Sequence, residues 1–267
     1  MDRRTITGFS NPTVKALRAL RDKKHRKREG RFVAEGLRQL TDARESGRVP
    51  ETLVMASGRD PHPLLAALEA DVAAAGGEVI ETSPDLLAKN TGKDNPQAVA
   101  GVFAEFDTSL AALDRAAAPI WLVAQALRDP GNLGTMLRTG DAVGAGGLIL
   151  LDDSADPFSV EAVRASMGAV FTQAVAQASW DEFLPWLRAG EGQLVAASLR
   201  EAVPYRGAPY EAPCFIMVGN ESRGLPEEYE AACDMRVTMP MRGRADSLNA
   251  AVAAAVLAYE VLAAFES

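Results

Sequence analysis

Arg236-Val237-Thr238-Met239-Pro240-Met241-Arg242-Gly243-Arg244-Ala245-Asp246-Ser247-Leu248-Asn249 leads into an alanine-rich run that ends at Phe265. The stretch predicts a short strand, a polar loop and a long helix. Pro240 cannot donate to a sheet ladder, so the strand stops there. Gly243 opens backbone conformations closed to other residues. Asp246 or Ser247 can cap the helix by accepting a hydrogen bond from a free backbone N–H. Leu248, Val252, Val256 and Tyr259 recur at helical spacing. Asn249 is the odd residue, a poor helix former in the first turn. Two readings stand side by side. One is a plain cap with a solvated Asn. The other is a ligand held at the helix N-terminus by backbone N–H groups and the dipole.

Working outward, a β/α series precedes this stretch. Its strands are Ile120–Val123, Leu148–Leu151, Thr172–Val175, Leu194–Ala197 and Phe215–Val218, and a final one opens at Val237. Several are unbroken apolar runs, as expected of strands covered on both faces. Helical segments between most of them predict a largely parallel sheet with helices on both sides. Upstream, strands at Arg31–Ala34, Thr52–Met55, Glu78–Thr82 and Gln97–Phe106 alternate with helices opening near Gly36, Leu64 and Pro84, a small α/β domain of normal size. The expected division is a basic arm over 1–29, an α/β domain over 30–107, a linker over 108–118 and a second α/β domain over 119–267.

Charge is unevenly spread. The chain carries −8 overall, but residues 1–31 hold eleven Lys or Arg against three Asp or Glu, a net +8. The rest is therefore −16. Lys23, Lys24, Arg26, Lys27 and Arg28 crowd together, which favours a nucleic-acid contact over a solvated helix face. The N-terminus shows no secretory signal, and no segment reads as a membrane span, so a cytoplasmic protein is expected. Cys214 and Cys233 make neither a disulfide framework nor a zinc pattern.

Three polar stretches follow predicted strands, where open α/β sheets place their ligands. They are Leu127–Thr139, Val218–Pro226 and the opening stretch. In the first, Asn132 can cap the following helix, and Arg138 lies more than one turn into it. The Gly219–Gly224 loop lacks the Lys-Ser/Thr of a P-loop, and no Gly-x-Gly-x-x-Gly follows the first strand. The two histidines, His25 and His62, are far upstream, so a Ser-His-Asp device is not available here. No cluster of metal ligands is visible. Phe103, Phe106, Trp180 and Trp186 read as core residues rather than base-stacking platforms.

Asn132-x-Gly134-x-x-x-Arg138-Thr139, Gly219-Asn220-Glu221-x-x-Gly224-Leu225 and Pro240-Met241-x-Gly243-x-x-x-Ser247-Leu248-Asn249 resemble the three motifs of the SpoU/TrmH branch of the SPOUT RNA methyltransferases. The order and the strand-loop-helix settings match as well, over residues 119–265. Arg164–Phe171 is also similar, and residues 30–105 resemble that family's ribosomal-protein-like RNA-binding domain. The resemblance implies an α/β fold whose C-terminal SPOUT domain is tied in a trefoil knot. It implies S-adenosylmethionine as cofactor, a homodimer and methyl transfer to a ribose 2′-hydroxyl of structured RNA. Large-subunit rRNA is expected ahead of tRNA; a knot protein that binds RNA without activity is the non-enzyme alternative. By family position, Gly219, Met239 and Leu248 contact the cofactor, Ala197, Ser198 and Leu199 line its adenine side, and Gly224 is a further cofactor-binding residue. Arg138 takes the catalytic place, positioned with the ribose by Asn132, Glu221, Ser247 and Asn249.

Overall fold

The computed structural model describes residues 3–8, 10–58, 60, 62–91 (89–91 by backbone alone) and 98–266. In chain order the elements are β1 (Arg4–Ile6), α1 (Pro12–Ala19), α2 (Lys23–Glu29), β2 (Arg31–Glu35), α3 (Leu37–Glu45), β3 (Thr52–Ala56), α4 (Pro63–Ala74), β4 (Glu78–Thr82), α5 (Pro84–Thr91) and β5 (Val99–Ala104). Then come β6 (Ile120–Gln125), α6 (Pro130–Ala142), β7 (Gly147–Leu151), α7 (Val160–Ser166), α8 (Ala169–Thr172), β8 (Ala174–Ala178) and α9 (Trp180–Arg188). The series ends with β9 (Gln193–Ala197), β10 (Val203–Pro204), β11 (Cys214–Val218), α10 (Glu227–Ala231), β12 (Met235–Thr238) and α11 (Ala250–Phe265).

The chain packs as two compact units. One is Met1–Phe106 with Phe158–Thr172, the other Asp107–Pro157 with Gln173–Ser267. α7 and α8 belong to the first unit although they lie within the second in sequence. The reason is aromatic. Phe158 and Phe171 pack with Phe32, Phe103 and Phe106, with ring centroids 4.8 to 6.0 Å apart. Beside them the buried Glu35 accepts from Arg164 at 2.9 Å.

The first unit holds a five-stranded sheet in the order β1-β4-β3-β5-β2, in which β1, β4 and β3 run parallel and β5 is antiparallel to both neighbours. The strand expected at Gln97–Phe106 is observed as Val99–Ala104; Gln97 lies outside the described residues. The basic arm is α1 and α2. Lys23, Lys24, Lys27 and Arg28 are exposed, but Arg26 is 2 % exposed and donates to the carbonyls of Leu20 and Arg21, both at 2.8 Å. Arg26 is thereby corrected from an RNA contact to a structural residue: its guanidinium ties α2 to the end of α1.

The second unit holds a seven-stranded sheet, β10-β12-β9-β11-β6-β7-β8, with every pairing parallel. β6, β7 and β11 are buried along their whole length, which explains their unbroken apolar runs. The segment expected to start a strand at Thr172 instead ends α8 there, and β8 begins at Ala174. Trp121, Phe183, Phe215 and Met217 fill the core under α9, with Trp121 stacked on Phe215 at 5.9 Å. α11 packs on α6, β11 and β6. Its buried stripe is Ala250, Ala251, Ala253, Ala254, Leu257, Ala258 and Val261, so most of the alanines serve close packing inside the unit. Among the described residues no helix is long and apolar enough to cross a membrane.

Candidate active site

Parallel strands put all their C-terminal ends on one edge of the sheet, so the loops after β6, β9, β11 and β12 meet there. The chain leaves β6 through Ala126, whose φ of 46° is unusual for a residue with a side chain. Its carbonyl accepts from Asn220 Nδ2 at 2.8 Å, which ties the loop after β11 to the end of β6. Asn220 Oδ1 accepts from the N–H groups of Ser222 and Arg223 at 3.0 and 3.2 Å, folding that loop into a tight turn. Gly224 closes it with an N–H bond to the Asn220 carbonyl at 2.9 Å and a φ of 68°. A Cβ on Gly219 would sit 2.4 Å from Gly224 C, so only glycine fits there.

The helix caps differ from expectation in an informative way. α6 is capped by Asp129, which accepts from Asn132 N at 2.7 Å, and Pro130 fills the first turn. Asn132 is not the cap, and its side chain is left free for another task. At α11 the cap is neither Asp246 nor Ser247. Asn249 Oδ1 accepts from Ala251 N and Val252 N at 3.0 and 3.3 Å, and the helix begins at Ala250.

These two corrections join. Asn249 Nδ2 donates to Asn132 Oδ1 at 2.9 Å, and Asn132 Nδ2 donates to Glu221 Oε1 at 3.0 Å. The direction is forced. A helix N-terminus offers only donors and a carboxylate only acceptors, so each amide has one workable orientation between them. The result is a polarised chain from the start of α11 through α6 to the loop after β11. It holds three loops in one place.

Beside this chain lies a cleft of about 370 Å³, within the range of small-molecule sites. Its lining includes Ala197, Ser198 and Leu199 after β9, Gly219, Glu221 and Gly224 after β11, and Met239, Ser247 and Leu248 after β12. All seven residues expected to hold a cofactor are therefore gathered on one cavity. Of the five expected catalytic residues, Glu221 and Ser247 line it, and Asn132 and Asn249 reach it through Glu221. Arg138 is not in the hydrogen-bonded cluster. It is exposed on α6, six residues and about 9 Å of helix rise beyond Asn132. Among the described residues the Ser247 side chain bonds only to its neighbour Asp246, at 3.0 Å.

Sequence reading gave no role to two residues that matter here. Asn220 fixes the second loop, and its place inside a Gly-bracketed turn was the available signal. Glu230 is 6 % exposed, lines the cleft, and accepts from Ser198 Oγ at 2.7 Å and Arg200 at 3.3 Å. In sequence it is one acid in the run Glu227-Glu228-Tyr229-Glu230, and only burial separates it from the others. The two thiols are inert by the same kind of cause. Burial pushes Cys214 up to about 12, and burial with the nearby Asp234 and Glu230 charges does the same to Cys233.

The size and the apolar walls suit a ligand of nucleoside size. The missing side chain of Gly219 lets the Gly224–Leu225 backbone pack against it, which keeps the loop after β11 closed at the edge of the cleft.

The chain is similar to known proteins in sequence and in fold. Residues 119–259 match the SpoU rRNA Methylase family, and residues 11–101 match the MRM3-like substrate binding domain. The AdoMet-bound rRNA methyltransferase from Sinorhizobium meliloti superposes with a TM-score of 0.92 at 38% identity, covering 99% of both chains. The AdoMet complex of AviRb from Streptomyces viridochromogenes gives 0.88 at 28% identity, over 96% of this chain and 99% of that one. In sequence, the 23S rRNA (guanosine(2553)-2'-O)-methyltransferase RlmP of Bacillus subtilis is 31% identical over 96% of this chain and 98% of its own length.

Proposed function

The chain belongs to the SpoU rRNA methylase family, and from that premise we propose that its three-loop cleft serves methyl transfer to a ribose 2′-hydroxyl of 23S rRNA. The protein is an S-adenosylmethionine-dependent RNA 2′-O-methyltransferase with the α/β-knot fold of that family. Its substrate and its division of labour are the proposed part. Two relatives named as 23S rRNA 2′-O-methyltransferases support that substrate. So does the match of the N-terminal region to a substrate-binding domain. Transfer RNA is the alternative, and ribosomal RNA as substrate fits a cytoplasmic enzyme.

One observation carries the assignment: the cleft collects every expected cofactor residue and is bolted to α6 by the Asn249–Asn132–Glu221 chain. When bound, S-adenosylmethionine supplies an electrophilic methyl group on a sulfonium. Leu199, Met239 and Leu248 wall the cleft, and Gly224, with open space where a side chain would be, leaves its backbone exposed to the ligand. Glu230, held by Ser198 and paired with Arg200, fixes the turn after β9 at the cleft wall. The polarised chain fixes Glu221 and the start of α11 so that the ribose meets a rigid edge. Arg138 orients the 2′-hydroxyl and stabilises the oxyanion as its proton leaves. It is not the base, because a guanidinium stays protonated in proteins. An RNA phosphate oxygen takes the proton. Val252 and Tyr259 stand exposed on α11, about half accessible, and a homodimer covers them.

The test is incubation with labelled S-adenosylmethionine and either 23S rRNA or bulk tRNA, followed by mass-spectrometric mapping of 2′-O-methyl groups. One ribose methylated in 23S rRNA is the expected result. Label confined to tRNA moves the substrate. Calorimetry that finds no S-adenosylmethionine binding, with or without RNA, overturns the reading. Light scattering at monomer mass removes the dimer.

A further inference from the structure

The second unit carries ten arginines and no lysine, against twenty Asp and Glu. Six of the arginines are engaged. Arg115 donates to the Leu187 carbonyl and lies over Trp186, and Arg206 donates to the Tyr205 hydroxyl. Arg128, Arg188, Arg200 and Arg236 pair with Asp153, Asp234, Glu230 and Glu201. The other four are Arg138, Arg223, Arg242 and Arg244. Each is exposed, and none makes a side-chain hydrogen bond, ion pair or ring contact among the described residues.

Their location is not scattered. Arg138 is on α6, Arg223 on the loop after β11, and Arg242 and Arg244 on the loop after β12. These are the three segments that Asn132 ties together. Scarcity of acids does not explain the unpaired state, because acids outnumber bases two to one in this unit. Carboxylates even share the loops: Glu221 bonds Asn132, and Asp246 accepts from Ser247. The local acids thus have other partners, and the guanidiniums face solvent with their five donors free.

We propose that Arg223, Arg242 and Arg244 form a phosphate-binding rim that holds the RNA backbone on either side of the target ribose. Arginine suits this use, since its planar fork matches phosphate oxygens in pairs. Three cations at the mouth of an otherwise acidic unit also localise the polyanion, so that RNA is drawn to the cleft rather than to the surface at large. The proposal rests on the reading of the cleft as an RNA-methylating site.

The experiment measures binding rather than turnover. Affinity of the full-length protein for deproteinised 23S rRNA is titrated against salt for the wild type and for Arg242→Gln/Arg244→Gln. Affinity falls about tenfold near physiological salt, and the slope of log affinity against log salt flattens by about 1.4 to 1.8, the contribution of two phosphate contacts. Arg223→Gln flattens it by about half as much. Arg242→Lys/Arg244→Lys retains the slope, because the charge remains. Calorimetry of the glutamine double variant gives an unchanged affinity for S-adenosylmethionine. An unaltered slope overturns the rim. So does a flattening by Arg188→Gln equal to that of Arg223→Gln, since Arg188 carries the same single charge at a paired position on α9. Loss of cofactor affinity in the double variant also overturns it, since the arginines would then be shaping the loop. Failure of the cleft reading looks different: a wild type that binds RNA with its full salt slope and transfers no methyl group.

Discussion

The basic helix α2 and the junction around Asn132 both crowd polar side chains into a short space. In α2 a single side chain, Arg26, folds inward and closes its bonds on backbone carbonyls of the same unit, while Lys23, Lys24, Lys27 and Arg28 stay in solvent. At the junction, Asn132, Glu221 and Asn249 bond to one another across 117 residues of sequence, and the free charge is carried by arginines at the side. The first cluster is local and could form with the helix pair. The second exists only when the whole sheet is assembled. Local density of polar residues therefore says little about role; the sequence distance that their bonds cross says more.

The contrast can be broken most forcefully at Arg138. Arg138→Ala lowers single-turnover methylation by about a thousandfold, the effect of removing a donor to a developing oxyanion. Its affinity for S-adenosylmethionine stays within twofold. A near-wild-type rate would return Arg138 to the solvated surface that its lack of partners also describes.

Next in size are the two asparagines. Asn132→Ala and Asn249→Ala each slow methylation by about a hundredfold, and the double variant is no slower than either single, because they act through one chain. Only Asn249→Ala also loses about 1 kcal/mol of stability in denaturant titration, through the missing cap. Additive losses in rate would mean that the chain does not act as a unit.

On the other side of the contrast, Arg26→Ala costs about 2 kcal/mol of stability, since it strips a charged donor from two carbonyls. It leaves the salt dependence of RNA binding alone. Replacing Lys23, Lys24, Lys27 and Arg28 with Gln does the reverse. If Arg26→Ala flattened the salt slope as the lysine variants do, the two groups would not differ in kind.

The smallest effect appears only in alkali. Cys214 and Cys233 ionise near 9 when unfolded and near 12 when folded. Between those values the unfolded chain alone gives up these protons, so stability falls as pH rises through that window. Below pH 9 the two thiols impose no such dependence. A Cys214→Ala/Cys233→Ala variant shows a shallower decline between pH 9 and 11.

Much of this was legible from residues alone. Apolar runs such as Leu148–Leu151 and Phe215–Val218 identify doubly covered strands, and Pro240 marks the end of β12. The three polar stretches stand out because they follow strands. Burial and long-range partners were not legible. Arg26 is one basic residue among five in sequence and differs only in which way its helix face turns. Glu230 is one acid among three. Asn249 looked misplaced in a first turn because the cap was assigned two or three residues early; moved to the cap, it has every reason to be Asn. β10 is two residues long, with no pattern to announce it.

The membership of Phe158–Thr172 in the first unit bears on how the chain is made. Synthesis delivers Phe32, Phe103 and Phe106 early, but Phe158 and Phe171 follow Phe106 by 52 and 65 residues. At roughly 5–20 residues per second that is a delay of several seconds. The first unit thus waits, with an open aromatic face, for a piece of chain encoded inside the next. A fragment ending at Phe106 lacks two of its five rings, and a catalytic half transplanted from Asp107 onward carries those two into solvent. The protein is born as one folding problem, although its motifs read as two.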